Sequence, residues 1–176
     1  MTEVEQRHQA LLERWRGAMN LVGPGPLQPH FVDSRGAVAG LDCSGRWADL
    51  GSGAGFPGIA LAEAHPDAAV LLVESKAKRA QFLKRLVVET GLANVEVFHG
   101  RSEALSSGFD GLISRAYRPP AQVLDDADRL LGPDGVVVLL TADSLPAVSG
   151  WRVTRADRYR VTDGDRVRTV LGRVGA

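Results

Sequence analysis

Trp47-Ala48-Asp49-Leu50-Gly51-Ser52-Gly53-Ala54-Gly55-Phe56-Pro57-Gly58 reads as the end of a buried strand, a glycine loop and the start of a helix. Gly51, Gly53 and Gly55 alternate, so the backbone is free to turn at positive φ and to approach a ligand closely. Pro57 suits the first helical turn, where a missing N–H costs nothing. The N–H groups of that turn are expected to face the loop and favour a polar ligand. Asp49 stands at the carboxyl end of the strand, the edge at which open α/β sheets bind ligands.

Two ligands compete for this loop. Gly53-x-Gly55-x-x-Gly58 fits the dinucleotide fingerprint, a weak signal by itself. A pyrophosphate wants free N–H groups, and Pro57 removes one; it also gives no reason for an acid at Asp49. A cofactor with an ammonium group and no phosphate accounts for both. S-adenosylmethionine (SAM) is such a cofactor. Its ribose calls for an acid on the next strand, and Val70-Leu71-Leu72-Val73-Glu74 ends in one. A glycine-rich turn without a ligand leaves the Asp49 and Glu74 pair unexplained.

The rest of the chain sets this loop in an alternating pattern. Strands are expected at 46–50, 70–74, 95–99, 108–114 and 136–140, with helices at 57–65, 77–91 and 120–131 between them. Gly91 reads as a C-cap, and Arg101–Leu105 as a short turn or helix. Such alternation demands right-handed crossovers and a doubly wound, Rossmann-like parallel sheet. Then the pattern breaks. Trp151–Val161 and Asp165–Val174 both read as strands, joined through Thr162-Asp163-Gly164 with its hairpin dipeptide. Five parallel strands followed by an antiparallel hairpin is the order of the seven-stranded SAM-dependent methyltransferase fold, a second argument for SAM over NAD. Before the core, residues 4–19 and about 30–41 read as helices separated by Pro24, Pro26 and Pro29. The expected layout is one domain, with a helical cap over 1–45 and a SAM-binding core over 46–176.

Composition narrows the function. The 176 residues carry 21 basic and 21 acidic side chains, so there is no global footprint for nucleic acid. Residues 151–176 hold seven Arg against three Asp. Arg152, Arg155, Arg158 and Arg160 are therefore phosphate-contact candidates, although a solvated strand face is the commoner cause of such a bias. Lys76, Lys78, Arg79, Lys84 and Arg85 crowd the second core helix in the same ambiguous way. Cys43 is the single cysteine, and no spacing suggests a metal cluster. The start, Met1-Thr2-Glu3-Val4-Glu5, has no signal-peptide pattern, and no apolar run reaches membrane-spanning length. A reduced cytoplasm, a monomer, no metal and no membrane are the expectations.

Methyl transfer leaves traces of its nucleophile. Attack through carbon needs a thiolate, and Cys43 precedes the first strand, far from the carboxyl edge. Transfer to an exocyclic amine calls for an amide or acid after the fourth strand; here Ser114-Arg115-Ala116-Tyr117 offers an arginine. A ring nitrogen with a free lone pair needs no base, which fits. Arg115 is then a holder of phosphate or of a base edge, or else one half of a structural ion pair with a strand-end acid. His30 and Asp33 are placed to meet a base, or to cap a helix. His8 is expected to face outward, and Trp15, Trp47 and Trp151 to pack. A side chain at Gly51, as in Gly51→Val, is expected to block the cofactor with little loss of fold.

With these residues in view, the chain resembles the bacterial 16S ribosomal RNA guanine-N7 methyltransferase family, the GidB type. The matching segments are Asn20-Leu21, His30-Phe31-Val32-Asp33-Ser34, the loop from Asp49 to Ile59, Lys78-Arg79-Ala80-Gln81-Phe82-Leu83, Asn94-Val95-Glu96-Val97, Gly100-Arg101-Ser102-Glu103 and Ser114-Arg115-Ala116. The resemblance implies transfer of the SAM methyl group to N7 of a guanine in 16S ribosomal RNA or the small ribosomal subunit. Beside Asp49, Gly53 and Glu74, read above as cofactor residues, it implies that Gly51 and Phe56 line the SAM pocket, that Glu74, standing where the family has Asp, keeps the ribose contact, that Ser102 and Glu103 meet the adenine, and that Arg115 lies beside both cofactor and substrate. Pro29 stands where the family has an arginine, and Thr141 where it has a lysine. Losing two cations from the RNA side is expected to weaken RNA binding. A small-molecule substrate and a catalytically silent SAM-binding, ribosome-associated module are the alternatives.

Overall fold

The computed structural model describes residues 1–161 and 164–175. Two helices, α1 (Glu3–Trp15) and α2 (Gln28–Val38), precede the sheet. There follow β1 (Gly45–Leu50), α3 (Gly58–Ala64), β2 (Ala68–Glu74), α4 (Ala77–Thr90) and β3 (Val95–His99). A one-turn 3₁₀ helix at Ser102–Ala104 leads to β4 (Phe109–Arg115), α5 (Pro120–Leu130), β5 (Leu131–Thr141), β6 (Trp151–Val161) and β7 (Gly164–Arg173). The sheet order is β3-β2-β1-β4-β5-β7-β6, parallel through β5 and antiparallel at β7 and β6. The doubly wound seven-stranded fold expected from the sequence is therefore the observed one. The hairpin residues Thr162 and Asp163 lie outside the described residues.

Strand alternation divides the core in two. Trp47, Val70, Leu72 and Ile113 face α1–α4, whereas Ala48, Leu50, Leu112 and Val137 face α5. On α5, Val123, Leu124, Ala127 and Leu130 form one buried stripe. Fully burying a leucine of this kind stabilises by about 2 kcal/mol. Gly91, at φ 70°, ends α4 in the left-handed conformation and donates its N–H to the Val87 carbonyl at 3.0 Å. Thr2 and Glu5 form a capping box on α1.

Several boundaries differ from the sequence reading. Pro57 is the N-cap residue of α3, following a cis peptide bond, and does not occupy the first helical position. α1 stops at Trp15, short of 19, because Gly17 follows its cap residue. β5 begins at Leu131 and not at 136: Leu131 pairs with Phe109, and the ladder then jumps to Gly111↔Val136, leaving residues 132–135 as an irregularity in one strand. Arg168 of β7, 3% exposed, donates to the Gly36, Ala37 and Ala39 carbonyls and pairs with Asp157 at 2.5 Å. It thereby caps the carboxyl end of α2 and ties the helical cap to the hairpin.

The largest correction concerns His8. It is 1% exposed and does not face outward. Its Nε2 lies 2.7 Å from the Ala54 carbonyl and so donates to it, and its ring stacks on Phe56 at 4.5 Å. Burial, partly offset by the Ala54 hydrogen bond, pushes the imidazole pKa down to about 4 from 6.5. The unfolded chain therefore takes up a proton between pH 6.5 and 4 that the folded chain refuses. This contribution to stability is complete above the unfolded value and is lost as pH falls toward 4, by about 3 kcal/mol. The urea midpoint of the wild type is expected to drop faster than that of His8→Leu across this window. Parallel curves would mean that His8 titrates normally in the fold.

Candidate cofactor and substrate site

The parallel register brings the carboxyl ends of β1, β2 and β4 together, with Asp49 paired to Leu72 on one side and Ile113 on the other. Beyond Leu50 the chain turns through Gly51 (φ 73°), Gly53 (φ 55°) and Gly55 (φ 92°), the left-handed conformations that the alternating glycines predict. The loop is tied down on three sides. Gly51 and Ser52 donate their N–H groups to the Val73 carbonyl at 3.0 and 3.1 Å. Gly53 N–H donates to Glu74 Oε2 at 3.1 Å. Gly58 N–H donates to Asp49 Oδ2, also at 3.1 Å. The first N–H of α3 thus serves the acid beneath it, where the sequence reading directs it to a ligand.

Asp49 is fully buried and its Oδ1 has no hydrogen-bond partner. Burial raises its carboxyl pKa to about 7; the Gly58 N–H and the Arg115 charge pull it back, and Glu74 pushes it further up. Glu74, 5% exposed, accepts from Gly53 and Lys76 N–H, one on each carboxylate oxygen. Each oxygen keeps a lone pair for a second donor.

A cavity of about 280 Å³ opens over this loop, walled by Gly51, Glu74, Gly100, Ser102, Tyr117 and Arg118. Ser102 donates its one O–H to Asp126 Oδ1 at 3.0 Å and so accepts from Tyr117 Oη at 3.1 Å. Arg118 bridges Glu103 at 2.8 Å and Asp126 at 3.3 Å, with its guanidinium over the Tyr117 ring. Arg118 foremost holds the exposed Glu103 carboxyl down to about 2, well below the usual range. Tyr117, Arg118 and Asp126 escaped the sequence reading. A signal existed for Asp126: it is an acid on the buried stripe of α5 between Val123 and Leu130. Tyr117 also changes the Gly51 expectation. An added Cβ at Gly51 would collide with the Tyr117 ring, and φ 73° strains any side chain there, so Gly51→Val costs fold stability as well as cofactor space.

A second cavity, of about 600 Å³, is lined by Pro29, His30, Asp33, Arg115, Thr141 and Arg166 among others. It shares Ala116 with the first, and Ala116 itself sits at φ 53° in left-handed backbone. Arg115 donates from Nη1 to Asp33 Oδ2 at 2.7 Å, and its guanidinium lies 5.3 Å above the Phe56 ring. Its partner is thus an acid of α2 and not a strand-end acid. Phe56, 4% exposed, sits behind the loop, stacked with the rings of His8 and His30 and edge-on to Phe31. This aromatic cluster fixes the cap to the glycine loop.

Other candidates lie apart. Arg155 and Arg160 pair with Asp157 and Asp165, and Arg152 and Arg158 are exposed on the outermost strand. Two of the α4-region cations do not lie apart: Arg79, which donates to the Asn20 carbonyl at 2.6 Å, and Lys76 both line the first cavity, while Lys84 is exposed on α4. Cys43, Trp47 and Trp151 are buried as expected. Among the described residues no group of three His, Cys, Asp or Glu gathers as a metal site, and no helix is long and apolar enough to cross a membrane.

The family model described as rRNA small subunit methyltransferase G matches residues 2–147. A Ribosomal RNA small subunit methyltransferase G of Halorhodospira halophila is 38% identical over 77% of this chain and 67% of its own length. The protein of the same name from Nitratidesulfovibrio vulgaris is 36% identical over 94% of this chain and 83% of its own. Among solved structures, a SAM-dependent methyltransferase from Aquifex aeolicus superposes with a TM-score of 0.63, covering 97% of this chain and 99% of its own at 15% identity. A mutant of MtNAS in complex with S-adenosylmethionine gives 0.67 over 97% of this chain and 71% of its own, also at 15% identity. These last two share the fold.

Proposed function

Because the chain belongs to the rRNA small subunit methyltransferase G family and is a SAM-dependent methyltransferase, we propose that it methylates N7 of a guanine in 16S ribosomal RNA, with the cofactor over the glycine loop and the guanine in the second cavity. One observation carries this reading: the two cavities share a wall at Ala116, with the Arg115 guanidinium on the far side of it.

The cofactor supplies a methyl group on a cationic sulfur. The chain fits it through the buried Asp49 carboxylate, whose Oδ1 lacks a partner and whose charge the Gly58 N–H and Arg115 offset only in part, leaving the carboxyl pKa raised to about 7. In this reading Asp49 lies under the cofactor's ammonium, and Gly51 and Gly53 let the backbone approach. Glu74 takes the ribose hydroxyls with its remaining lone pairs. Ser102 and Glu103 meet the adenine at the Tyr117 side.

Guanine N7 carries its own lone pair, so alignment and exclusion of water are what the protein must provide. The acid in the second cavity is not set up as a base: Asp33 already accepts from Arg115 and from Tyr159. Arg115 and His30 then hold the base edge or its phosphate, and Asp33 fixes Arg115. The catalytic contribution is positioning, and no residue is assigned proton transfer. The protein acts as a monomer on RNA or on the small subunit.

The second reading, a small-molecule substrate, is favoured by one feature: Pro29 and Thr141 put no cation on two walls of that cavity. Salt separates the two. Retention of small-subunit RNA on a filter should weaken steeply with ionic strength, with a log–log slope of about −0.7 to −0.9 for each phosphate contact. No retention at low salt, with SAM still bound, would remove RNA as the substrate.

A further inference from the structure

We infer that Tyr159, on the outermost strand of the sheet, is a positioning residue for methyl transfer: its hydroxyl holds Asp33 so that Asp33 aims Arg115 into the second cavity. The inference rests on the reading of that cavity as the substrate side.

Three distant segments meet here. Tyr159 of β6 donates its hydroxyl to Asp33 Oδ1 at 2.7 Å. Asp33 of α2 uses its other oxygen, Oδ2, for Arg115 at the end of β4. The Asp33 side chain is 6% exposed and that of Arg115 22%, so the pair is shielded but reaches the cavity. The χ2 of an aspartate is intrinsically broad, and a partner on each oxygen narrows it more than a partner on one. Arg115 in turn has Asp33 at one edge and the Phe56 ring below, which sets its plane. Removing the phenol hydroxyl releases one end of that relay.

The seat of Tyr159 is built for this. Its ring lies on Gly36, one helical turn after Asp33, where an added Cβ would come within 2.5 Å of the ring. Burial, and then the bond to Asp33, hold the phenol far above its ordinary pKa, so it remains a donor throughout the working range. The relay crosses from the helical cap to the hairpin, giving the antiparallel end of the sheet a part in the reaction.

Tyr159→Phe keeps the ring on Gly36 and removes only the donor. On unmodified small subunits, kcat is expected to fall about tenfold, with SAM affinity unchanged and the urea midpoint only slightly lowered, because Asp33 Oδ1 loses its phenol donor. Combining it with Arg115→Lys gives the decisive cycle. If Tyr159 acts through Asp33 and Arg115, Tyr159→Phe adds little to Arg115→Lys; two independent losses multiply. Multiplying losses, or a Tyr159→Phe enzyme as fast as the wild type, overturns the inference. Arg115→Lys with unchanged kcat and KM would instead overturn the substrate-side reading on which it rests.

Discussion

Asp49→Asn is expected to weaken SAM binding about a hundredfold while leaving the free protein as stable as the wild type, or more so, at pH 8. Asp49 is fully buried, with one oxygen unpartnered and its carboxyl pKa near 7. The free fold therefore holds this charge at a cost, of order 1–4 kcal/mol at pH 8. A cationic ligand above the loop repays it; asparagine removes both the cost and the repayment. A hundredfold corresponds to about 2.7 kcal/mol, a reasonable size for a charge pair screened from water.

The pH dependence sharpens the test. The folded carboxyl titrates at about 7 against an ordinary 3.8, so the free fold takes up a proton that the unfolded chain lacks between those values. Its stability rises as pH falls through 7, opposite in sign to the His8 effect. SAM affinity should move the other way, falling as pH drops below 7 because binding requires the carboxylate. Titration calorimetry from pH 8 to 6 in buffers of different ionisation enthalpy reads the proton released. Equal affinity in wild type and Asp49→Asn, with no proton released, would place Asp49 outside cofactor binding and leave it as a tether for Gly58.

The second large effect is at Arg115. Arg115→Met is expected to reduce methyl transfer to RNA by two to three orders of magnitude, with SAM affinity changed less than threefold. Arg115, next in the chain to Ala116 of the shared wall, lines the second cavity and is held by Asp33 at 2.7 Å and by the Phe56 face. Methionine keeps much of the volume but also leaves the Asp33 carboxylate short of its cation, which destabilises the fold. The double variant Arg115→Met with Asp33→Asn removes that orphaned charge. Stability should recover in the double variant and transfer should not. Recovery of both would make Arg115 a structural ion pair, as the alternative from sequence had it.

Much of this was legible because it is local. Glycines at alternating positions, an acid two residues before them and a second acid ending the next strand are short-range patterns, and both acids lie at the expected edge. What failed involved contacts between distant segments. His8 sits on the apolar stripe of α1 four residues before Leu12, yet a histidine there is ambiguous until Phe56 and Ala54 arrive from elsewhere in the chain. Asp126 likewise falls on a buried stripe, and its partners Ser102 and Arg118 come from two other loops. Tyr159 carries no local pattern at all. Its role depends on the hairpin folding back in the order β5-β7-β6, which sets β6 beside α2. Pro29 and Thr141, quoted from the sequence as missing cations, do line one cavity together, and Arg166 of β7 lines it with them.

The most direct measurement is transfer of labelled methyl from SAM to small ribosomal subunits, and to naked 16S RNA, lacking native modification. Label is expected at N7 of a single guanine, reduced about a hundredfold or more in Arg115→Met and about a hundredfold in Asp49→Asn at limiting SAM. SAM binding of normal affinity with no label in either substrate would contradict this, and would leave the second cavity to a ligand other than RNA.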